Sequence, residues 1–372
     1  MTQRQRSSNI ELLRIVAMLL IVAHHFSVHG GFSYDISSIS INRVWIQFLQ
    51  LGGKVGVDVF VLISGYYLVS SKSSVTFKAI KLWLQLLFYS IAIFISSIAL
   101  DLSTFSKKAM LDSLFPVSMC QWWFASTYFI LLLFTPTINI ALTAMNKRKY
   151  QQMLLLSVIL WCCMPSLSSL YPKFTIIAPQ LSDLAWFVTL YAIGAYIRLW
   201  HPTLSYNSKY YLLVSIASFI LTLISAVIFD YLNLMQQSIC FNPTALFDKT
   251  SITILITSIT ALLGFLQINM SYSKVINTIA SATFGVYLLH DQAVTRPLLW
   301  ETIFKNASFA DSDLLIIYSI AVILVVYLCC TLLDLVRIKV VETPLIVGIS
   351  KLSKLIDSYI QKIFTSSLSD RL

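Results

Sequence analysis

Apolar segments follow one another along most of the chain and are separated by short polar stretches. A membrane-spanning helix needs about 20 predominantly apolar residues, and segments of that length recur throughout. The pattern therefore predicts an all-α integral membrane protein with about ten transmembrane helices. The predicted spans cover residues 10–28, 44–69, 79–100, 122–144, 151–170, 182–200, 210–229, 248–268, 275–291 and 314–335.

The composition agrees with this pattern and excludes a soluble protein. Hydrophobic residues make up 58% of the chain and charged residues 11%, whereas about 25% of a typical soluble domain is charged. No small-residue cleavage site follows the first apolar segment, so we expect this segment to remain in the membrane rather than to be removed as a signal peptide.

The distribution of basic residues predicts the orientation. If the amino terminus is cytoplasmic, 18 of the 26 lysines and arginines fall on the cytoplasmic side. Cytoplasmic loops retain basic residues, so this asymmetry predicts that both termini are cytoplasmic. Orientation and attraction to anionic membrane lipid account for the net charge of +10. A nucleic-acid partner is not needed to explain it.

The segment after the last predicted span has a different pattern. In residues 345–364 apolar side chains recur at helical spacing with lysines between them, which is typical of an amphipathic helix lying on a membrane surface. We therefore divide the chain into a transmembrane domain, residues 1–344, and a cytoplasmic amphipathic tail, residues 345–372.

The first predicted span contains an arginine and a histidine that share one helix face. Arg14 and His25 are eleven positions apart, a step that returns to within about 20° of the same direction and rises by roughly 16 Å. His24 points about 80° away from that face. Ionisable groups inside a membrane are costly and are usually retained for function. His25 is therefore the better candidate for a catalytic base, and Arg14 for a fixed cation.

Asp58 in the second span is a candidate partner for His25. The second helix runs antiparallel to the first and places this carboxylate near the middle of the membrane, where it can reach a histidine. A carboxylate bound to an imidazole fixes its tautomer and stabilises its protonated form. The alternative is a structural pair that only satisfies two buried polar groups.

A second cluster of cations lies at the predicted cytoplasmic side. Lys78 and Lys81 are three residues apart at the start of the third span and share a face. With Arg14 they can hold the phosphates of a nucleotide-bearing donor. The alternative is that these lysines only contact lipid headgroups. Since no glycine-rich phosphate loop, thiol–metal spacing or nucleophile-elbow serine is present, we expect no metal.

Several motifs together resemble the membrane-bound acyltransferase-3 family. The first is an arginine followed after ten residues by a histidine, which Arg14 and His25 match. The others follow in the family's order and extend the resemblance over nearly the whole chain: GVDVFVLISGY at 56–66, which contains Ser64; QWWF at 121–124, which contains Trp123; GAYIR at 194–198; TFGVYLLHD at 283–291, which contains His290; and VETP at 341–344, which contains Glu342.

The resemblance implies an enzyme that takes an acyl group, usually acetyl, from coenzyme A at the cytoplasmic side and delivers it to a carbohydrate acceptor. It implies that His25 is catalytic and that Arg14 lies on the donor side. Where many members carry two arginines three apart, this chain has Lys78 and Lys81, which lack the planar fork of arginine. His24, Ser64, Trp123, His290 and Glu342 are possible supporting residues; His290 can equally cap its helix or face water.

We therefore expect a multi-pass O-acyltransferase of a bacterial cytoplasmic membrane. Acetyl-CoA is the expected co-substrate, and a hydroxyl of a cell-surface polysaccharide or of its lipid-linked precursor is the expected acceptor. Many relatives append an esterase-like domain, so here the membrane domain or a partner would complete the transfer. The alternatives are a transporter or flippase of lipid-linked sugars, and an acyltransferase that uses succinyl-CoA or a small-molecule acceptor. The oligomeric state is not predicted.

Overall fold

The computed structural model describes residues 7–34, 39–170, 183–201, 204–237 and 241–369, with side chains as far as residue 362. The chain is 80% helical, and the described residues form no strand. The α-helices, in chain order, are α1 (Ser8–Val28), α2 (Ile41–Leu68), α3 (Val75–Ala99), α4 (Lys107–Leu114), α5 (Trp123–Ala144), α6 (Lys147–Val158), α7 (Met164–Leu170), α8 (Asp183–Trp200), α9 (Ser208–Gln236), α10 (Ile252–Leu266), α11 (Lys274–Ser281), α12 (Thr283–His290), α13 (Thr295–Pro297), α14 (Leu315–Arg337) and α15 (Thr343–Ser369).

Each predicted span coincides with helix in the described residues. Seven helices among the described residues are long and apolar enough to cross a membrane, counting Lys147–Leu170 and Leu315–Lys362 as single helices. The predicted span 248–268 corresponds to the shorter α10, and the predicted span 275–291 is broken at Ala282 into α11 and α12. The all-α membrane fold is confirmed, whereas the count of ten spans and the side on which the termini lie stay predictions.

Prolines account for two irregular turns inside the long helices. The π-helical turns Ile159–Cys163 and Ile338–Glu342 each end two residues before a proline, Pro165 and Pro344. A proline has no backbone N–H to donate, and its ring crowds the preceding turn, so the hydrogen-bond pattern shifts locally. The second of these turns joins α14 to α15, and the predicted tail therefore begins within a continuous helical stretch.

The peripheral helices turn large apolar side chains outward and small polar ones inward. On α9, Ser215 and Ser218 are buried and donate to the carbonyls of Thr257 and Thr253 on α10, each at 2.9 Å. Large exposed side chains recur on the opposite face of α9 at helical spacing: Leu213, Ile216, Ile220, Ile224 and Ile228. Lipid is as apolar as leucine, so close packing and interhelical hydrogen bonds, rather than hydrophobicity, decide which face turns inward.

The buried centre of the protein is formed by α1 and α2. These two helices have the largest buried share among the candidate spans, 67% and 78% of their most apolar windows. Gly56 on α2 allows the close approach, because a Cβ there would lie 2.6 Å from the carbonyl oxygen of Ala17 on α1. This contact holds α1, and with it Arg14 and His25, against the centre of the bundle.

Candidate active site

His25 lies near the end of α1 and is buried, with 8% of its surface exposed. Its Nδ1 is 2.8 Å from Nε2 of His290, the last residue of α12. Nδ1 of His290 is in turn 2.6 Å from the carbonyl oxygen of Val286, one helical turn earlier. A carbonyl oxygen only accepts, so Nδ1 of His290 carries the proton and its Nε2 is bare. His25 must then donate from Nδ1, which leaves its Nε2 with a free electron pair.

A carboxylate lies beside this free nitrogen. Oδ1 of Asp291 is 3.4 Å from Nε2 of His25 and accepts a hydrogen bond from Nε of Arg296 at 2.7 Å. Asp291 is fully buried, and a buried negative charge needs a partner, which the guanidinium supplies. If Nε2 of His25 takes up a proton, Asp291 is placed to stabilise the resulting imidazolium.

Asp58 does not form the predicted pair with His25 in the described part of the chain. It is fully buried on α2 and accepts a hydrogen bond from the indole Nε1 of Trp186 on α8 at 3.1 Å. The helix register places Asp58 on the face of α2 that packs against α8. Asp291 instead reaches His25 because it directly follows the helix that carries His290.

His29 lies just beyond the end of α1, with its Nε2 3.8 Å from Oδ1 of Asp291. Burial and the charge of Arg296 lower its pKa, against the opposite effects of Asp291 and Glu301. His29 is therefore mostly neutral at pH 7. The ligand atoms of His25, His29 and Asp291 lie within 4.8 Å of one another, as for a metal site. However, Arg296 already binds the same carboxylate oxygen, and its positive charge opposes a cation there.

His25 opens into a cavity of about 160 Å³, here called the histidine cavity. Two of the predicted supporting residues, His24 and Trp123, also line it. Nδ1 of His24 is 2.6 Å from the carbonyl oxygen of Gln50, so this ring donates to the backbone of α2. Lys54 and Lys249 also belong to the polar lining. Nζ of Lys249 lies 4.6 Å from the centre of the Trp123 ring and 2.8 Å from Asp183, so its ammonium group is held by a cation–π contact and an ion pair.

A second cavity, of about 260 Å³, brings together the three predicted donor-side cations Arg14, Lys78 and Lys81. We call it the cationic cavity. Nε of Arg14 is buried and has no hydrogen-bond partner among the described residues, although the guanidinium of Arg14 lies 3.6 Å from Glu11. Nζ of Lys78 donates to Ser71 at 2.8 Å. The cavity thus presents three positive charges whose neighbours neutralise them only in part.

Ser64 and Glu342, the remaining predicted supporting residues, hold the surroundings of the cationic cavity in place. Ser64 lines the cavity, donates to the carbonyl of Phe60 at 2.9 Å and accepts from the hydroxyl of Tyr128 at 3.0 Å. Glu342 lies 2.6 Å from Nζ of Lys81 and accepts from Arg337 at 2.9 Å. The two bonds of Glu342 link α3 to the junction between α14 and α15.

The two cavities meet at three phenylalanines. Phe60, Phe124 and Phe284 line both the histidine cavity and the cationic cavity, and no other described residue lines both. We call these three side chains the phenylalanine wall. Together the cavities place a histidine with a free nitrogen on one side of an aromatic wall and a group of cations on the other.

One protein-family model matches most of the chain. The acyltransferase-3 family model, which describes an acyltransferase domain, matches residues 7–334. The chain belongs to the acyltransferase-3 family. No curated protein and no solved structure gives a significant match to the chain. The protein is therefore a membrane-embedded, multi-pass acyltransferase, and the matched region contains every residue that lines the two cavities, whereas Glu342 lies beyond it.

Sequence reasoning missed Asp291, which lies beside Nε2 of His25, and Arg296, which donates to Asp291. A signal was present, because Asp291 directly follows His290 in the motif at 283–291. It also missed Lys54 and Lys249 as residues that share a cavity with His25. Lys249 lies 224 positions from His25 in the chain, and no local pattern indicates that the two meet.

Proposed function

We propose that the protein transfers an acetyl group from acetyl-CoA to a hydroxyl of a cell-surface polysaccharide, or of its lipid-linked precursor, at a bacterial cytoplasmic membrane. The observation that carries the proposal is the pair of cavities. His25, with a free nitrogen, lines one cavity, and Arg14, Lys78 and Lys81 line the other. A reaction between a cytoplasmic donor and an acceptor on the other side of the membrane requires two binding sites that are separated in this way.

The cationic cavity is proposed to hold the donor. Coenzyme A carries several phosphates, and charge-assisted hydrogen bonds to phosphate oxygens are about twice as strong as neutral ones. The buried Nε of Arg14, which has no hydrogen-bond partner in the described part of the chain, would gain one on binding. Lys78 and Lys81 supply further charge without the bidentate geometry of arginine. The thioester end of the molecule then points toward the phenylalanine wall.

His25 is proposed to act as a general base. Its Nε2 takes the proton of the acceptor hydroxyl while the hydroxyl oxygen attacks the thioester carbonyl. As the carbon–sulfur bond breaks, the thiolate of coenzyme A leaves and takes the proton back from the imidazolium. Asp291, 3.4 Å from Nε2, stabilises that imidazolium. In the alternative route, Nε2 attacks the thioester carbonyl, the carbon–sulfur bond breaks and the coenzyme A thiolate leaves, so that the imidazole carries the acyl group. The acceptor hydroxyl then displaces the imidazole from the acyl carbon, and the proton of the hydroxyl passes to the thiolate.

The histidine cavity is proposed to bind the acceptor. Trp123 offers a flat apolar face for a sugar ring, and Lys54 and Lys249 offer hydrogen-bond donors for its oxygens. A succinyl donor or a small-molecule acceptor would use the same groups. Membrane lipid surrounds the bundle, and a partner that presents the glycan would approach from the end of α1 that carries His25.

The test combines cells with isolated membranes. O-acetyl groups on the surface polysaccharide are measured by NMR in cells with the native gene, a deletion, or a His25→Ala variant. We expect the acetyl resonances to vanish in both altered strains. Membrane vesicles given labelled acetyl-CoA should release coenzyme A only with the native protein. Polysaccharide acetylation that persists in both strains, with no coenzyme A released by the native vesicles, would instead support a transporter.

A further inference from the structure

The phenylalanine wall is a built partition rather than a chance contact of side chains. It takes one residue from each of three helices: Phe60 from α2, Phe124 from α5 and Phe284 from α12. Phe60 and Phe124 meet edge to face, with ring centres 6.4 Å apart at 66°. Such edge-to-face pairs add to the energy of burial and favour one geometry.

Phe124 is the fixed member of the wall. Only 8% of its surface is exposed, and its ring stacks on Tyr128 at 6.0 Å and 6°. It also meets Tyr287 edge to face at 5.7 Å and 78°. All three phenylalanines border both cavities, but Phe60 and Phe284 are only half-buried. Phe60 and Phe284 therefore have more room to change rotamer than Phe124, which is buried and packed against two tyrosine rings.

The reaction proposed above needs the acyl group to meet His25, and this inference rests on that proposed function. The donor cations and His25 line different cavities, so the thioester must reach between Phe60, Phe124 and Phe284 for its carbonyl to meet Nε2. The acyl chain then lies in the histidine cavity, whose volume of about 160 Å³ must also hold the acceptor hydroxyl. Each additional methylene competes for that space.

We propose that the phenylalanine wall determines which acyl groups this enzyme transfers, by passing a short acyl chain and excluding longer ones. Phe60 and Phe284 form the adjustable side of the passage, and Phe124 forms the fixed side. One methylene in an apolar pocket changes the relative kcat/KM by about 10- to 200-fold. A wall of three rings therefore provides enough discrimination for a selective donor site.

The experiment uses vesicles from a deletion strain that carries the full-length protein and retains the native acceptor. Coenzyme A release is measured with acetyl-, propionyl-, butyryl- and hexanoyl-CoA for the native protein, Phe60→Ala and Phe284→Ala. We expect kcat/KM to fall with each methylene for the native protein. Each alanine variant should raise the ratio of butyryl to acetyl transfer by at least about 10-fold, the lower end of the effect of one methylene.

A matched control enlarges the cationic cavity without opening the wall. Leu82 lines the cationic cavity and not the histidine cavity, so Leu82→Ala makes space only on the donor side. It should leave the butyryl-to-acetyl ratio within about 3-fold of the native value, which is below the effect of one methylene. Where an alanine variant does not fold, Phe60→Leu or Phe284→Leu opens the wall less and should shift the ratio in the same direction.

The outcomes separate this inference from the function on which it rests. If the wall variants transfer acetyl but keep the native ratio, or if Leu82→Ala shifts the ratio as much as they do, the inference is wrong and the acetyltransferase function stands. If native vesicles release coenzyme A from none of the four donors, both proposals are wrong.

Discussion

Nε2 of His290 and Nδ1 of His25 lie 2.8 Å apart, and both side chains are buried. The carbonyl of Val286 fixes the proton of His290 on its other nitrogen. The proton of His25 is thereby fixed on Nδ1, which leaves the electron pair of Nε2 free. In the proposed reaction, the imidazole of His290 would have the orienting role that a carboxylate has in many catalytic histidine pairs, without adding a negative charge.

This relationship predicts that His290 is a positioning residue for the reaction. His290→Ala leaves Nδ1 of His25 without its acceptor and removes the preference for the reactive tautomer. We expect kcat for acyl transfer to fall by about 100-fold, the lower end of what general base catalysis contributes. KM for acetyl-CoA should stay close to the native value, because the donor cations lie in the other cavity. Steady-state coenzyme A release separates the two constants.

The conservative variant distinguishes positioning from a merely structural role. A glutamine at position 290 can present its side-chain oxygen to Nδ1 of His25 and should recover part of kcat. If His290→Gln and His290→Ala lose activity equally while both melt at the native temperature, the acceptor role of His290 would be excluded.

A second prediction concerns the carboxylate that serves His25. Asp291→Asn keeps the shape of the side chain but removes the charge beside Nε2. We expect kcat to fall by about 10-fold or more, since a hydrogen bond to a charged group contributes about 1.5–3 kcal/mol. Asp58→Asn retains an acceptor for the indole of Trp186 and should change kcat much less. The reverse order of effects would restore Asp58 as the partner of His25.

The contrast between Asp58 and Asp291 shows how far the sequence determines the site. The shared face of Arg14 and His25 follows from helix geometry within one span, and both residues do line adjacent cavities. The partner of His25 depends on how α1, α2 and α12 pack, and Asp291 lies 266 positions away in the chain. Hydropathy predicts which segments are helices, but it carries no information about the rotation of one helix against another.

The lysines of the cationic cavity should differ in their effects. Lys78 makes a hydrogen bond to Ser71, whereas Lys81 is paired with Glu342. Lys78→Ala should raise KM for acetyl-CoA by about 10-fold, the low end for a charged hydrogen bond, and leave the melting temperature unchanged. Lys81→Ala should raise KM and also lower the melting temperature, because Glu342 loses a partner. Lys81→Arg should retain both properties.

Thermal unfolding in detergent and donor titration with the same preparation measure these two properties together. If Lys78→Ala and Lys81→Ala lower the melting temperature equally, the ion pair between Lys81 and Glu342 has no structural role of its own. An unchanged KM in both variants would place the donor phosphates elsewhere.

The last prediction concerns the contact between α2 and α8, which supports both cavities. A Cβ at Gly65 would lie 2.1 Å from the carbonyl oxygen of Tyr191, and a Cβ at Gly194 would lie 2.2 Å from that of Leu62. The two glycines therefore let the helix backbones touch, as small residues do at membrane helix interfaces. Gly65→Ala must push the helices apart, and overpacking of this kind costs about 1–3 kcal/mol.

Gly348→Ala is the matched control for this effect. Gly348 lies on α15, and apart from its own stretch of helix no described atom lies within 4 Å of the position of a Cβ there. Alanine at this position should therefore be neutral or stabilise the helix by about 0.5–1 kcal/mol. We expect Gly65→Ala to lower the melting temperature by several degrees and to reduce acyl transfer, because α2 also carries Phe60 and Ser64. Equal melting temperatures for the two variants would show that α2 and α8 can separate without cost, and that the wall does not depend on their contact.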